Sequence, residues 1–227
     1  MPTDRARPLS TVLTSVILPL ALLTAVMIGL GFLLTHVLVH LWPFTVEDQA
    51  VNALLADRSP ARDQDSNVIS LVAYTVGIAI TLVGAGGLMR IAYHRWRESL
   101  FLAAAVVCQL VVFKLTAWTV ARPRPAVPQL DSFPPMQSFP SGHVAAAVAL
   151  YGGIAVVLAL HARQRAHAAV WWAMLLIVPI AVGVSRVYRG MHHPSDVVAS
   201  FLVGLGCLWI LRRAMFTPAE QRGALQS

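Results

Sequence analysis

The sequence predicts an all-α integral membrane bundle of six transmembrane helices, with an interfacial helix in the first extracytoplasmic loop. Three observations carry this. The 227-residue chain is 57% hydrophobic with a mean hydropathy of +0.69, against about 45–50% apolar residues in ordinary soluble domains. Six apolar runs are long enough to approach the roughly 20 residues that cross a hydrocarbon core. The arginines sort by side of those runs, as the positive-inside rule demands.

The first run, about 10–35, follows Arg5 and Arg7. It exceeds the roughly 7–15-residue core of a signal peptide and no small-residue cleavage pattern ends it, so it reads as a retained helix. The loop at about 43–68 contains FTVEDQAVNALLADR, in which Val46, Ala50, Val51, Leu54 and Leu55 recur at helical spacing behind Thr45 as a cap. This predicts an amphipathic helix at the membrane surface. The second run, 69–89, leads to Arg90, Arg95 and Arg97. The third, 99–118, holds Lys114. The fourth, 143–160, opens after Pro140 with Ser141 and Gly142, and the fifth and sixth, 169–185 and 197–211, flank SRVYRGMHHPSDVV. Cys108 and Cys207 lie inside apolar runs and read as packed free thiols. One membrane domain, 1–227, accounts for the whole sequence.

Six crossings put both termini on one side. That side carries ten arginines against three acidic residues, and the other carries six arginines against seven. The termini are therefore expected in the cytoplasm of a cell inner (plasma) membrane, with the second set of loops outside. The net charge of +7 is then a topology signal and does not call for nucleic acid.

All the unusual chemistry falls on the outer side: KLTAWTVARPRP with Lys114, Arg122 and Arg124; FPSGH with Ser141, Gly142 and His143; and the stretch with Arg186, His192, His193 and Asp196. Lysine and arginines converging on one point form an anion cradle, and arginine's planar fork matches phosphate oxygens. A helix opening with Ser-Gly adds backbone N–H groups and a positive dipole end. Histidines with a nearby carboxylate supply a nucleophile, an acid and an orienting group. Together they read as phosphate-ester chemistry.

FPSGH followed by Ser185, Arg186, His192 and Asp196 at S-R-x5-H-x3-D spacing resembles the type 2 phosphatidic acid phosphatase (PAP2) superfamily of membrane lipid phosphatases, closely over about 110–200. The resemblance implies that His192 attacks phosphorus while Asp196 fixes its tautomer, that His143 serves the leaving group and then water, and that Lys114, Arg122, Arg124, Ser141, Gly142 and Arg186 bind the phosphoryl oxygens, with no metal or other cofactor. It further implies a phosphohistidine intermediate and a lipid phosphate or diphosphate substrate at the outer leaflet, of undecaprenyl-diphosphate or glycerolipid type. The family's first motif is K-x6-R-P. Here Lys114 stands eight residues before Arg122 and ten before Arg124; the family's R-P-R-P form favours Arg124 and leaves the lysine one turn early, about 4.5 Å deeper. Two other readings share the basic cluster: a vanadate-type haloperoxidase, and a non-catalytic anionic-lipid binding or transport protein. The histidine–aspartate arrangement separates catalysis from recognition, which needs only the cations.

Overall fold

The computed structural model describes residues 9–56, 58–132, 137–162 and 164–216. Six helices in it are long and apolar enough to cross a membrane: α1 Leu13–His40, α4 Thr75–Tyr93, α5 Arg97–Val120, α6 Gly142–Leu160, α7 Arg165–Tyr188 and α8 Pro194–Met215. Two more, α2 Glu47–Ala56 and α3 Pro60–Leu71, lie between the first and second crossings. No strand occurs among the described residues.

The first loop differs from its sequence expectation. The expected single amphipathic helix is two helices. Thr45 sits inside a short 3-10 turn, Phe44–Val46, rather than capping, and the first α-helical residue is Glu47. Val51 and Glu47 are buried while Ala50 and Leu54 are exposed, so the apolar stripe is split between the protein and the outside. The second helix starts on a local signal: Ser59 accepts a hydrogen bond from the Arg62 N–H at 3.3 Å with Pro60 next in line, the arrangement that satisfies a free helix N-terminus. Because α3 runs to Leu71, the second crossing begins at Thr75 rather than 69. In the same way α8 begins at Pro194, ahead of its apolar run, because Pro194 and Asp196 are polar-end residues that start helices well.

The crossings pack around α6, 72% of whose best hydrophobic window is buried, against 11% for α1. Helices α5, α7 and α8 surround it, α1 lies on α5 and α8, and α4 lies on α5. Close approach of α8 to α6 depends on Gly204, where a Cβ would stand 2.5 Å from the Val148 side chain. The outward faces of α4 and α5 present Val76, Ile80, Val83, Val107 and Leu110, as lipid contact requires. Cys108 and Cys207 are both free thiols.

Helix α3 packs on α7, and the pin is polar: Ser185 donates to the Ser66 carbonyl at 2.6 Å and its hydroxyl meets that of Ser70 at 2.8 Å. The ends of α5 and α7 and the starts of α6 and α8 thereby meet beneath the two loop helices.

Candidate active site

Each of the three sequence clusters is placed by a helix end. Helix α5 stops at Ala121, which adopts a left-handed conformation (φ 49°) and sends Arg122 and Arg124 into the loop. Helix α6 starts at Gly142, tight against α5: a Cβ there would lie 2.8 Å from the Phe113 ring. After α7 the chain turns at Gly190 (φ 71°), a conformation L side chains rarely adopt; a Cβ would also meet the Pro128 carbonyl at 2.8 Å. Two residues later comes His192, and Pro194 begins α8.

These ends enclose a cavity of about 650 Å³ lined by Lys114, Arg124, Gly142, His143, Arg186 and His192 at one end. Farther along α4 and α5 from these helix ends the lining is apolar apart from the buried Gln109, with Ile78, Leu82, Val106 and Leu110 as its wall. Six of the residues expected to form the site therefore share one space. The Lys114 ammonium lies over the Phe113 and Trp118 rings at 5.4 and 5.7 Å. Arg124 donates to the Met191 carbonyl, and burial, reinforced by the charge of Arg186, lowers its pKa to about 10. The His143 ring stands edge-on to Tyr74 at 5.1 Å between centroids.

The three remaining expected residues stand behind this wall, and their roles change accordingly. Arg122, expected among the phosphate ligands, is committed to carboxylates: it donates to Asp196 at 2.6 Å and to Glu47 at 3.2 Å. Ser141 is fully buried; its hydroxyl accepts from the Val144 N–H at 3.5 Å and its own N–H donates to Ser200, so it caps α6 instead of lining the cavity. Asp196, expected to fix the tautomer of His192, folds back on the next residue: it accepts the His193 N–H at 2.9 Å and lies 3.1 Å from the His193 ring nitrogen. The cause is helix geometry. His193 is the N-cap and Asp196 the third helical residue, so the carboxylate satisfies a free N–H of α8.

The orienting partner of His192 is the Ser138 carbonyl, 2.7 Å from Nδ1. A carbonyl can only accept, so Nδ1 carries the proton and Nε2 keeps its lone pair. Burial pushes this imidazole well below its ordinary range; Asp196 opposes the shift and Arg124, Arg186 and His143 add to it. A neutral ring with a fixed tautomer is the state a nucleophile needs.

Four further contributors carried no motif. Asp131 bridges two arginines, accepting from Arg186 at 2.7 Å and from Arg189 Nε at 2.9 Å; burial raises its pKa, but these contacts override that and hold it at about 2. Ser138 positions His192 and donates to Asp196 at 2.5 Å. Tyr74 lies on His143, and Glu47 holds Arg122. Their only sequence signal was polarity in or beside the loops between the crossings. Among the described residues no group of three or more His, Cys, Asp or Glu is arranged to hold a metal ion.

The division of labour between the two arginines sets a measurable split. Arg124→Ala is expected to lower kcat/KM about 10- to 100-fold, as loss of a charge-assisted contact of roughly 1.5–3 kcal/mol does, while leaving thermal stability near wild type. Arg122→Ala strands two buried carboxylates and is expected to destabilise by about 3–5 kcal/mol. Melting and kinetics of the pair in one detergent check this; an Arg122 variant of native stability would contradict the pairing.

The model of the PAP2 superfamily matches residues 97–219. The chain is 31% identical over 137 residues (59% of its length) to a protein of Bacillus subtilis named "Phosphatidylglycerophosphatase B". It is 27% identical over 177 residues (64% of its length) to a protein of Schizosaccharomyces pombe named "Probable diacylglycerol pyrophosphate phosphatase 1". The matched segments span 64% and 63% of those relatives' own lengths. In three dimensions the chain is similar to the crystal structure of a transmembrane PAP2 type phosphatidylglycerolphosphate phosphatase from Bacillus subtilis, with a TM-score of 0.71 and 23% identity, covering 86% of this chain and 93% of that one.

Proposed function

Since the chain belongs to the PAP2 superfamily, we propose that it is a metal-independent membrane phosphatase that hydrolyses a lipid phosphate at the outer leaflet through a phosphohistidine on His192. The observation that carries this reading is the His192 geometry: Nδ1 is held by the Ser138 carbonyl, which leaves Nε2 as the nucleophilic nitrogen of a residue lining the cationic end of the cavity.

In the first step the Nε2 lone pair bonds to phosphorus and the bond from phosphorus to the lipid oxygen breaks. His143 gives its proton to the departing oxygen. The dianionic substrate supplies the negative charge that lets His143 carry that proton beside Arg124 and Arg186. In the second step His143 takes a proton from water, the water oxygen bonds to phosphorus, and the phosphorus–nitrogen bond breaks to release phosphate. Arg124, Arg186, Lys114 and the backbone at Gly142 hold the equatorial oxygens as charge moves between them. Asp131 occupies Arg186 before substrate arrives and keeps that guanidinium aimed along the cavity wall.

The substrate's tail follows from the other end. A single cavity that passes from arginines to Ile78, Leu82, Val106 and Leu110 fits a phosphate on an apolar anchor lying between α4 and α5. The names of the two relatives favour a glycerolipid phosphate over an undecaprenyl diphosphate. The charge distribution supports an outward-facing site with cytoplasmic termini.

Purified protein in detergent micelles containing EDTA should release inorganic phosphate from phosphatidylglycerophosphate, phosphatidic acid and diacylglycerol pyrophosphate, and far more slowly from water-soluble glycerol phosphate. Undecaprenyl diphosphate in the same series ranks the prenyl alternative. No phosphate from any lipid would leave recognition of anionic lipid as the better reading.

A further inference from the structure

Helix α2 lies outside the part of the chain that matches the family model, yet its first turn reaches the back of the site. Glu47 Oε1 accepts the Ser195 N–H at 2.8 Å, and Oε2 accepts from the Ser195 hydroxyl at 2.8 Å and from Arg122 at 3.2 Å. The side chain next to it, Asp48, stands 3.2 Å from His193 Nε2. One turn of helix thus applies two carboxylates to the segment that carries His192 and starts α8.

The contact continues inward without a gap. Arg122 donates to the Ser195 hydroxyl at 2.9 Å and to Asp196 at 2.6 Å. The other oxygen of Asp196 accepts from the Ser138 hydroxyl at 2.5 Å. The Ser138 N–H donates to the Arg122 carbonyl at 3.0 Å, so Arg122 grips Ser138 from two sides. The Ser138 carbonyl then accepts the Nδ1–H of His192. Glu47, Arg122 and Asp196 are all buried, where each such bond is stronger than in water and an unpaired partner is costly.

The geometry points to Glu47 as a positioning residue for the nucleophile: through Arg122, Asp196 and Ser138 it fixes the carbonyl that selects the reactive tautomer of His192. This rests on the phosphatase reading above. A shared guanidinium explains why the carboxylate is needed. With Glu47 present, Arg122 is held between two anions in a fixed plane. Without it, Arg122 is free to turn toward Asp196 alone, and the Ser195 N–H at the start of α8 loses its acceptor. Arg124 and Arg186 of the anion cradle are hydrogen-bonded elsewhere, to the Met191 carbonyl and to Asp131, so the loss of Glu47 acts first on nucleophile alignment and not on substrate binding.

The test uses full-length protein in detergent with phosphatidic acid micelles as substrate and orthovanadate as a phosphate-site probe. Glu47→Gln is expected to lower kcat about 10- to 100-fold, the range seen when a supporting contact behind a functional group is removed, with KM and vanadate inhibition within threefold of wild type. Arg122→Gln should lower kcat at least as far, and the double variant should be no worse than Arg122→Gln alone, because both residues act in one chain of contacts. If Glu47→Gln does not fold, Glu47→Asp decides. It keeps the charge but is one methylene short of spanning Ser195 and Arg122, and the same split is expected. Unchanged kcat, a parallel loss of kcat and vanadate binding, additive losses in the double variant, or failure of both Glu47 variants to fold would each overturn the assignment. An inactive wild type would sink the phosphatase reading instead, and a fully active His192→Ala would sink the assignment of His192 as nucleophile on which this inference rests.

Discussion

Replacing His192 by alanine is expected to abolish turnover, lowering kcat by roughly 10⁴-fold or more, as removal of a covalent nucleophile does. The expectation comes from the hydrogen bond between Nδ1 and Ser138, which leaves one nitrogen able to attack, and from the burial that keeps the ring neutral. His193→Ala provides the contrast. The His193 ring faces Asp196 and Asp48, and its backbone N–H still reaches Asp196 after truncation, so a loss within about tenfold is expected. Two measurements check the pair: steady-state phosphate release, and trapping of labelled protein after an alkaline quench, which preserves phosphohistidine. Label retained by His192→Ala, or equal losses in the two variants, would assign the nucleophile elsewhere.

The six crossings were legible because hydropathy over some 20 residues is a property of composition, which sequence displays directly. The loop helices were not. Val46 to Leu55 gave a helical period, but the polar stretch from Pro60 hid a second helix whose signal, Ser59 followed by proline, is a matter of two residues. At the site, residues announced by local spacing, namely Arg124, Gly142, His143, Arg186 and His192, do meet in one cavity with Lys114. Those whose partners are distant in sequence were invisible: Glu47 reaches Ser195 across 148 residues and Ser138 reaches Asp196 across 58. No periodicity encodes such pairs. Arg122 shows the cost. Next to Arg124 in sequence it looked like a second phosphate ligand, whereas the turn at Ala121 and the loop behind it direct it to Glu47 and Asp196.

The loop helices acquire a purpose from these contacts. Helix α3 holds Ser185 and, through Ser66, Arg189, whose Nη1 donates to that hydroxyl at 2.9 Å. Arg189 in turn shares Asp131 with Arg186. Helix α2 holds Arg122 and Ser195. Each loop helix therefore fixes one side of the cavity, α3 the arginine side and α2 the histidine side. On the reading proposed above, in which the lipid tail lies between α4 and α5, the loop helices add rigidity at the polar end of the cavity, where no tail has to pass.

Asp196→Asn is expected to cost both stability and turnover, and the structure changes the reason. The carboxylate accepts four donors: Arg122 on one oxygen, and Ser138, the His193 N–H and the His193 ring on the other. An amide has one acceptor oxygen, so whichever way it turns, an NH₂ faces buried donors. Unpaired groups of this kind cost about 1–3 kcal/mol each, and breaking the buried pair with Arg122 about 3–5 kcal/mol in all, which a lowered melting temperature in detergent will report. Turnover is expected to fall on the order of 10²- to 10³-fold, because Ser138 loses its anchor and the carbonyl that fixes His192 moves with it. Ser138→Ala separates this route from direct action on the imidazole. It keeps the carbonyl and deletes only the hydroxyl that Asp196 accepts, so an indirect role requires a clear drop in kcat, about tenfold, at unchanged KM. A Ser138→Ala enzyme with wild-type kcat, beside a crippled Asp196→Asn, would mean that the carboxylate reaches His192 without Ser138.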